Sequence, residues 1–217
     1  MSFLTKAQKD TLRAQINEAE SGTTGEIVTV IAQQSDGYRY IPLLWASLAA
    51  LSVPGWYFLY QAISTGGWFY QDDSAMALSR LYQTQVLVFL GLGTLFYYSS
   101  LRFWLIPKSV KLHRARRHAH EQFFLQNLHL TQNNTGVLIF VSVAEHYVEI
   151  IVDKAIADVV DNQVWQACID DFVSHMQAGD IATGFSNTVE HCKQVLHEHF
   201  PAEHGRPDEL PNHLIEI

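Results

Sequence analysis

The chain has 217 residues, with 14 Lys and Arg against 22 Asp and Glu, which gives a formal net charge of -8 at pH 7. This acidic balance argues against nucleic acid as a partner, and no nucleic-acid recognition motif is present. Hydrophobic residues make up 48% of the chain and charged residues only 17%; these averages hide two long apolar stretches in the first half.

The first forty residues predict one helix and one strand. Thr5, followed three residues later by Gln8, has the pattern of a capping box, and apolar residues then recur at helical spacing over 6–20. The run EIVTVIAQ at 26–33 is β-branched and nearly continuous in apolar character. Such a run is typical of a strand buried on both faces.

Two charge-free apolar stretches follow, at 41–63 and 81–101. At about 1.5 Å per residue, each forms a helix of about 30 Å or more, enough to cross the hydrocarbon core of a bilayer. The alternative is a pair of helices buried inside a globular core, which rarely needs such lengths without a charge. We therefore predict two transmembrane helices joined by an extracytoplasmic loop at 64–80. Aromatic residues suited to the membrane interface lie in or beside the stretches, namely Trp45, Trp56, Tyr57, Tyr60, Trp68 and Trp104.

The charges beside these stretches predict their orientation. The loop carries Asp72 and Asp73 with Arg80 as its only base, and Arg39 precedes the first stretch. Because Lys and Arg concentrate on the cytoplasmic side, we expect both termini in the cytoplasm and the loop on the opposite side of the membrane. The N-terminus lacks the apolar region of a signal peptide, so the first stretch is expected to direct insertion. Bases that also suit anionic lipid headgroups follow the second stretch: Arg102, Lys108, Lys111, Arg114, Arg116 and Arg117.

The remainder of the chain predicts the rest of an α/β domain. A basic amphipathic helix is predicted at 109–128, and it lies either on the membrane or on the sheet. A strand pair at 137–143 and 147–152 follows, then two amphipathic helices at 164–176 and 181–200. The tail at 201–217 is expected to be extended. Residues 1–40 and 102–200 would then form two parts of one cytoplasmic domain. The fold class is an α/β sandwich, a sheet flanked by helices, interrupted by a two-helix transmembrane hairpin.

The residues that usually carry chemistry give few signals. Cys168 and Cys192 lie in apolar helical patterns, as buried free thiols of a reducing compartment do. The eleven histidines do not show the spacing of a zinc site, and surface positions are favoured for them. Ser142 is interpreted as a strand residue and not as a nucleophile, because no nucleophile elbow surrounds it.

Three segments resemble the TPM domain family, also called the TPM phosphatase family. They are TGEIVTVIAQQSD at 24–36, TGVLIFVSVAEHYVEIIVDKAI at 135–156 and AGDIATGF at 178–185. The chain is similar to the bacterial, membrane-anchored branch in which paired spans interrupt the domain after its first strand. The tail resembles that branch as well, with HFP at 199–201 and DELP at 208–211.

The resemblance implies an α/β sandwich and several functions. Some members are linked to acid phosphatase activity and some to calcium binding, while others are accessory proteins of membrane complexes, including photosystem repair factors and a receptor auxiliary subunit. A typical member has a glycine-rich segment after its third strand. Here that segment reads DKAIADVVD at 153–161, without the glycines.

This segment contains the candidate metal site. Asp153, Asp158 and Asp161 lie at a strand end and in the following turn, where carboxylate oxygens can converge on Ca²⁺ or Mg²⁺. Asp180, between the last two helices, is a further candidate ligand. The alternative is a solvated acidic edge whose carboxylates cap helices.

Two functions remain from the sequence. The favoured one is a binding or accessory module, held at the membrane lipid and contacting another membrane protein or complex. The alternative is a divalent-metal-dependent phosphatase that uses the aspartates, with the metal activating a water.

Overall fold

The computed structural model describes residues 3–38, 40–65, 75–98, 103, 106–131, 133–202, 210 and 212–217. Most of the loop predicted at 64–80 lies outside the described residues, as do Arg39, the end of the second apolar stretch at 99–101, Arg102, and DELP except for its leucine. The chain divides into two compact units, Met1–Asp36 with Lys111–Ile217, and Gly37–Val110.

The helices and strands follow the sequence patterns closely. In chain order they are α1 (Lys6–Glu20), β1 (Glu26–Ala32), α2 (Tyr40–Thr65), α3 (Ala75–Tyr98), α4 (Lys108–Leu125), a 3₁₀ turn (Leu128–Leu130), β2 (Gly136–Ser142), β3 (Tyr147–Val152), α5 (Lys154–Ala157), α6 (Asn162–Gln177), α7 (Ile181–His199) and β4 (Ile215–Glu216). The capping box at Thr5 is present, since the Gln8 amide donates to its hydroxyl and the Gln8 side chain accepts from the Thr5 amide.

The sheet of the first unit joins segments that lie far apart in the chain. Its strand order is β3-β2-β1-β4, with β1 parallel to β2 and to β4, and β2 antiparallel to β3. A parallel pair needs a long crossover connection. Here the crossover between β1 and β2 contains the whole second unit and α4, so the apolar hairpin is an insertion within one folding unit.

Helices cover both faces of this sheet. On one face Ile16 of α1, Phe172 of α6 and Phe185 of α7 are buried against β1 and β2 residues. On the other face α4 packs through Ala119 and Phe123. The basic helix therefore lies on the sheet, and its exposed side carries the charges. The structure confirms a helix-flanked mixed sheet of the α/β class.

The second unit consists mainly of α2 and α3, which pack on each other. Ala46, Ala50 and Gly93 are buried. A β-carbon at Gly93 would lie 4.0 Å from Ala46 Cβ. Since this contact joins the first half of α2 to the last half of α3, the pair is an antiparallel helical hairpin.

The tail adds a strand that local sequence did not predict. Ile215 and Glu216 pair with Val30 and Ile31 of β1. Lys9 Nζ lies 2.7 Å from Glu216 Oε2, which fixes this strand to α1.

Candidate functional site

Asp153 ends β3 and starts α5. Its Oδ1 accepts a hydrogen bond from the Lys154 amide at 2.7 Å, which makes it the N-cap of α5. Its Oδ2 is buried and makes no hydrogen bond in the structure. This second oxygen is the one feature of Asp153 that its capping role leaves unexplained, because buried polar atoms are normally paired.

The other predicted carboxylates lie at neighbouring helix ends. Asp158 is the exposed C-cap residue of α5, and Asp161 caps α6 by accepting from the Gln163 amide at 2.9 Å. Asp180 caps α7, and hydrogen bonds from Thr183 lower the pKa of its carboxyl. Among the described residues, no three His, Cys, Asp or Glu side chains converge as a metal site would require. The trio Asp153, Asp158 and Asp161 thus has no common cation geometry here, and its assignment as a Ca²⁺ or Mg²⁺ site stays a prediction.

A buried polar network lies at the carboxyl ends of β1 and β2, and sequence reasoning did not find it. The Ser35 amide donates to Glu145 Oε1 at 3.1 Å and Oε2 at 3.2 Å. The Ser35 hydroxyl donates to Ser142 Oγ at 2.8 Å, and Ser142 Oγ donates to Glu145 Oε2. Ser142 is a strand residue, as expected, and its hydroxyl is held on both sides. The network ties the segment that leads to the hairpin to the turn between β2 and β3.

A second charged cluster lies under α4. Glu149 of β3 accepts from Tyr147 Oη at 2.9 Å, and Arg116 Nε and His120 Nε2 approach its Oε1 to 3.7 and 3.9 Å. Burial raises the pKa of Glu149, although these three neighbours act in the opposite direction. Arg116, one of the bases assigned to topology, is therefore also a partner of the sheet.

The hairpin exposes many large apolar side chains. Leu51 and Ile63 of α2 are 67% and 77% exposed, and Leu87 of α3 is 69% exposed. Large exposed apolar patches mark contact with a membrane or another protein. Of the described helices, one, at Tyr40–Ser64, is long and apolar enough to cross a membrane, and 22% of its apolar window is buried.

The comparisons with known proteins agree with this fold. The family described as "TPM domain" matches residues 104–195, from just before α4 into α7. Among solved structures, the chain is similar to the NMR structure of the BA42 protein from the psychrophilic bacterium Bizionia argentinensis, with a TM-score of 0.59 and 19% identity, over 99% of this chain and 96% of that one. No curated protein matches the chain.

The family match covers residues 104–195, and the structural likeness, at 19% identity, concerns the fold alone. The matched segment contains α4, β2, β3, α5, α6 and most of α7, while β1 lies before it. In the structure β1, which precedes the hairpin in the chain, pairs with β2 in the same sheet.

Proposed function

We propose that this chain is a membrane-anchored TPM-domain protein that acts as a binding or accessory module for another membrane protein or complex. The hairpin α2–α3 anchors it in a bacterial inner membrane, and both termini lie in the cytoplasm. The single observation that supports the anchor best is the outward placement of large apolar side chains on α2 and α3.

The anatomy of the hairpin suits a bilayer. A helix satisfies its own backbone hydrogen bonds, so it needs no water within the hydrocarbon. Membrane helices associate through small residues that allow close approach, and Ala46, Ala50 and Gly93 are the buried small residues here. The leucines and aromatic side chains outside this contact would then face lipid tails.

The charge distribution supports the orientation. Lys108 and Lys111 begin α4, and Arg114 and Arg117 follow within the same helix. Arg114 Nε lies 3.4 Å from Asp36 Oδ2, which precedes the hairpin. A basic side on α4 is compatible with the anionic cytoplasmic leaflet, at about 1 kcal/mol for each base close to the surface.

The accessory role has support on the TPM domain itself. Phe124 and Leu125 at the end of α4, and Leu130 in the 3₁₀ turn, are large apolar side chains exposed on its surface. Leu125→Asp is expected to reduce cross-linking to the partner in membranes. Val159→Asp, which changes another exposed apolar residue, between α5 and α6, is the matched control and should leave cross-linking unchanged.

The topology is tested by single-cysteine labelling of cells with a membrane-impermeant maleimide. Burial raises the pKa of Cys168 to about 11 and also raises that of Cys192, so the native thiols should react slowly and give a low background. Asp72→Cys should react in intact cells, and Asp208→Cys only after the membrane is opened. Reaction of both from one side would contradict the two-span topology.

The metal-dependent phosphatase is the alternative, and the buried Asp153 Oδ2 is the observation in its favour. Release of phosphate from an aryl phosphate by the detergent-purified protein, with and without Ca²⁺ or Mg²⁺, separates the two functions. Asp153→Asn keeps a residue that can cap α5, so it tests chemistry with little effect on folding. Metal-dependent turnover that this variant loses would establish the enzyme; the accessory role predicts no such turnover.

A further inference from the structure

Three polar side chains converge across the contact between α6 and α7. Asp171 and His175 are one turn apart on α6, and Asn187 lies opposite them on α7. Their polar atoms form a triangle. His175 Nε2 lies 3.7 Å from Asp171 Oδ2, while Asn187 Nδ2 donates a hydrogen bond to Asp171 Oδ2 at 3.4 Å and lies within hydrogen-bond distance of His175 Nε2, at 3.2 Å.

These separations match those of donor atoms around one metal ion. A tetrahedral zinc ion with N and O ligands at about 2.0–2.1 Å holds those ligands about 3.3–3.4 Å apart. The Asn187 amide nitrogen faces the triangle in the metal-free protein. Half a turn of the amide places Oδ1 at the same point, and the bound ion then replaces the hydrogen bonds of the amide nitrogen. Imidazole nitrogen, carboxylate oxygen and amide oxygen then surround one centre.

The triangle borders a cavity of about 230 Å³, which leaves room beside the three donors. The cavity is lined by Ala167, Cys168, Asp171, Asn187, Thr188 and His191. His191 follows Asn187 by one turn of α7, so a second imidazole belongs to the same wall. Asp171 and His175 are partly exposed, which gives an ion a path from solvent.

We propose that Asp171, His175 and Asn187 form a binding site for a zinc-like divalent cation, with its fourth position open toward the cavity that His191 lines. The imidazole selects a first-row transition metal over Ca²⁺ and Mg²⁺, which prefer six or more oxygen ligands and octahedral oxygen ligands respectively. The site is formed by side chains of α6 and α7 and does not include Asp153, Asp158 or Asp161. It stands independently of the accessory role.

The test uses the full chain in mild detergent after removal of any histidine tag, which would itself bind zinc. Zn²⁺ should bind with one-to-one stoichiometry in competition with a chromophoric chelator. His175→Ala and Asp171→Asn should each weaken binding at least tenfold. Asp170→Asn is the matched control, since Asp170 is the exposed neighbour on α6 that accepts from Gln166 at 3.0 Å. His113→Ala controls for the loss of an exposed histidine outside the site.

Co²⁺ in place of Zn²⁺ provides a spectroscopic readout. The intense visible bands of a four-coordinate ion should appear with the wild type and both controls, and should disappear with His175→Ala. Equal Zn²⁺ affinity in the wild type and His175→Ala would overturn the site, because binding would then occur elsewhere. Preferential binding of Ca²⁺ or Mg²⁺ would overturn the assignment of the metal class.

Discussion

The two units place the same kinds of side chain in opposite environments. In the first unit the phenylalanines Phe140, Phe172 and Phe185 have no exposed surface. In the hairpin, Trp56 and Phe58 are exposed. Burial of apolar area drives folding in water, so the first unit has the arrangement that water selects. The second unit exposes the same kinds of side chain, as the proposed membrane anchor requires. Both units contain large apolar side chains; the direction in which these side chains point distinguishes the units.

The largest expected difference comes from truncating matched phenylalanines. Phe185 is fully buried and packs edge-on against Phe172, with ring centroids 4.9 Å apart. Phe185→Ala should lower the free energy of unfolding by about 3–5 kcal/mol, because it leaves a cavity in the core. Phe58→Ala, on the exposed side of α2, should change it by less than about 0.5 kcal/mol. Pulse proteolysis across a urea series measures both, and equal losses would erase the distinction between the units.

A charge on the exposed side of the hairpin comes next in size. Leu51 is 67% exposed, so Leu51→Arg would have little effect in a hairpin that lies in water. In a bilayer, Arg near the centre of a helix costs about 2.5–3.5 kcal/mol on insertion scales. The amount of protein in carbonate-washed membranes should therefore fall. Gln166→Arg on α6 is the control, and an unchanged membrane fraction for Leu51→Arg would argue against insertion.

Two glycines compare how tightly the backbone is packed in the two units, and the expected effects on stability are smaller. A β-carbon at Gly136 would lie 2.8 Å from the Leu128 carbonyl oxygen, so Gly136→Ala should cost about 1–3 kcal/mol as the backbone shifts. At Gly93 the nearest atom, Ala46 Cβ, is 4.0 Å away. Gly93→Ala should be tolerated and should favour the helix slightly. Thermal unfolding of the two variants in detergent checks the order, which would be reversed if the hairpin were packed as tightly as the sheet.

The smallest effect is a pH dependence with opposite signs at two glutamates. Burial raises the pKa of Glu149 in the folded state, so stability is lost as pH rises above the ordinary glutamate range through that raised value. Glu149→Gln should therefore gain stability on the neutral side and converge with the wild type in acid.

Glu18 provides the matched contrast. The hydrogen bond from Lys193, 2.7 Å from Glu18 Oε1, lowers the pKa of Glu18, so its contribution is present above the ordinary range and is lost as pH falls through the lowered value. Glu18→Gln should therefore lose a little stability at neutral pH. Tm measured across pH for both variants tests these expectations. A change in stability of the same sign for both variants at neutral pH would contradict the causes assigned to the two pKa shifts.

Local patterns predicted most of the fold. The capping box and periodicity gave α1 its range, and β-branched runs gave β1, β2 and β3 within a residue or two. The sequence patterns did not predict β4 or α5, because a strand of two residues and a helix of one turn are too short to show a periodic pattern. The pairing of β4 with β1 depends on contacts with a segment far away in the chain.

The candidate sites were harder for the same reason. Asp171 and His175 have the one-turn spacing that places two side chains on one side of a helix, but two residues at this spacing are too few to predict a zinc site from the sequence. Asn187 joins them only through the packing of α6 on α7, and Ser35 reaches Glu145 only because β1 and β2 are parallel neighbours. Asp153, Asp158 and Asp161 are close in sequence, yet the helix ends between them direct two of their carboxylates to backbone amides.

The crossover between β1 and β2 also determines when the two strands become available during synthesis. β1 ends at Ala32, and its parallel partner begins at Gly136, about a hundred residues later. At about 5–20 residues per second, the ribosome needs about 5 to 20 seconds to produce that partner. During this delay β1 has no neighbouring strand with which to pair, and the ribosome synthesises both helices of the hairpin. Completion of the sheet therefore reports that the hairpin has been synthesised, and a chain arrested before Gly136 would present an unpaired strand to the cell's chaperones and proteases.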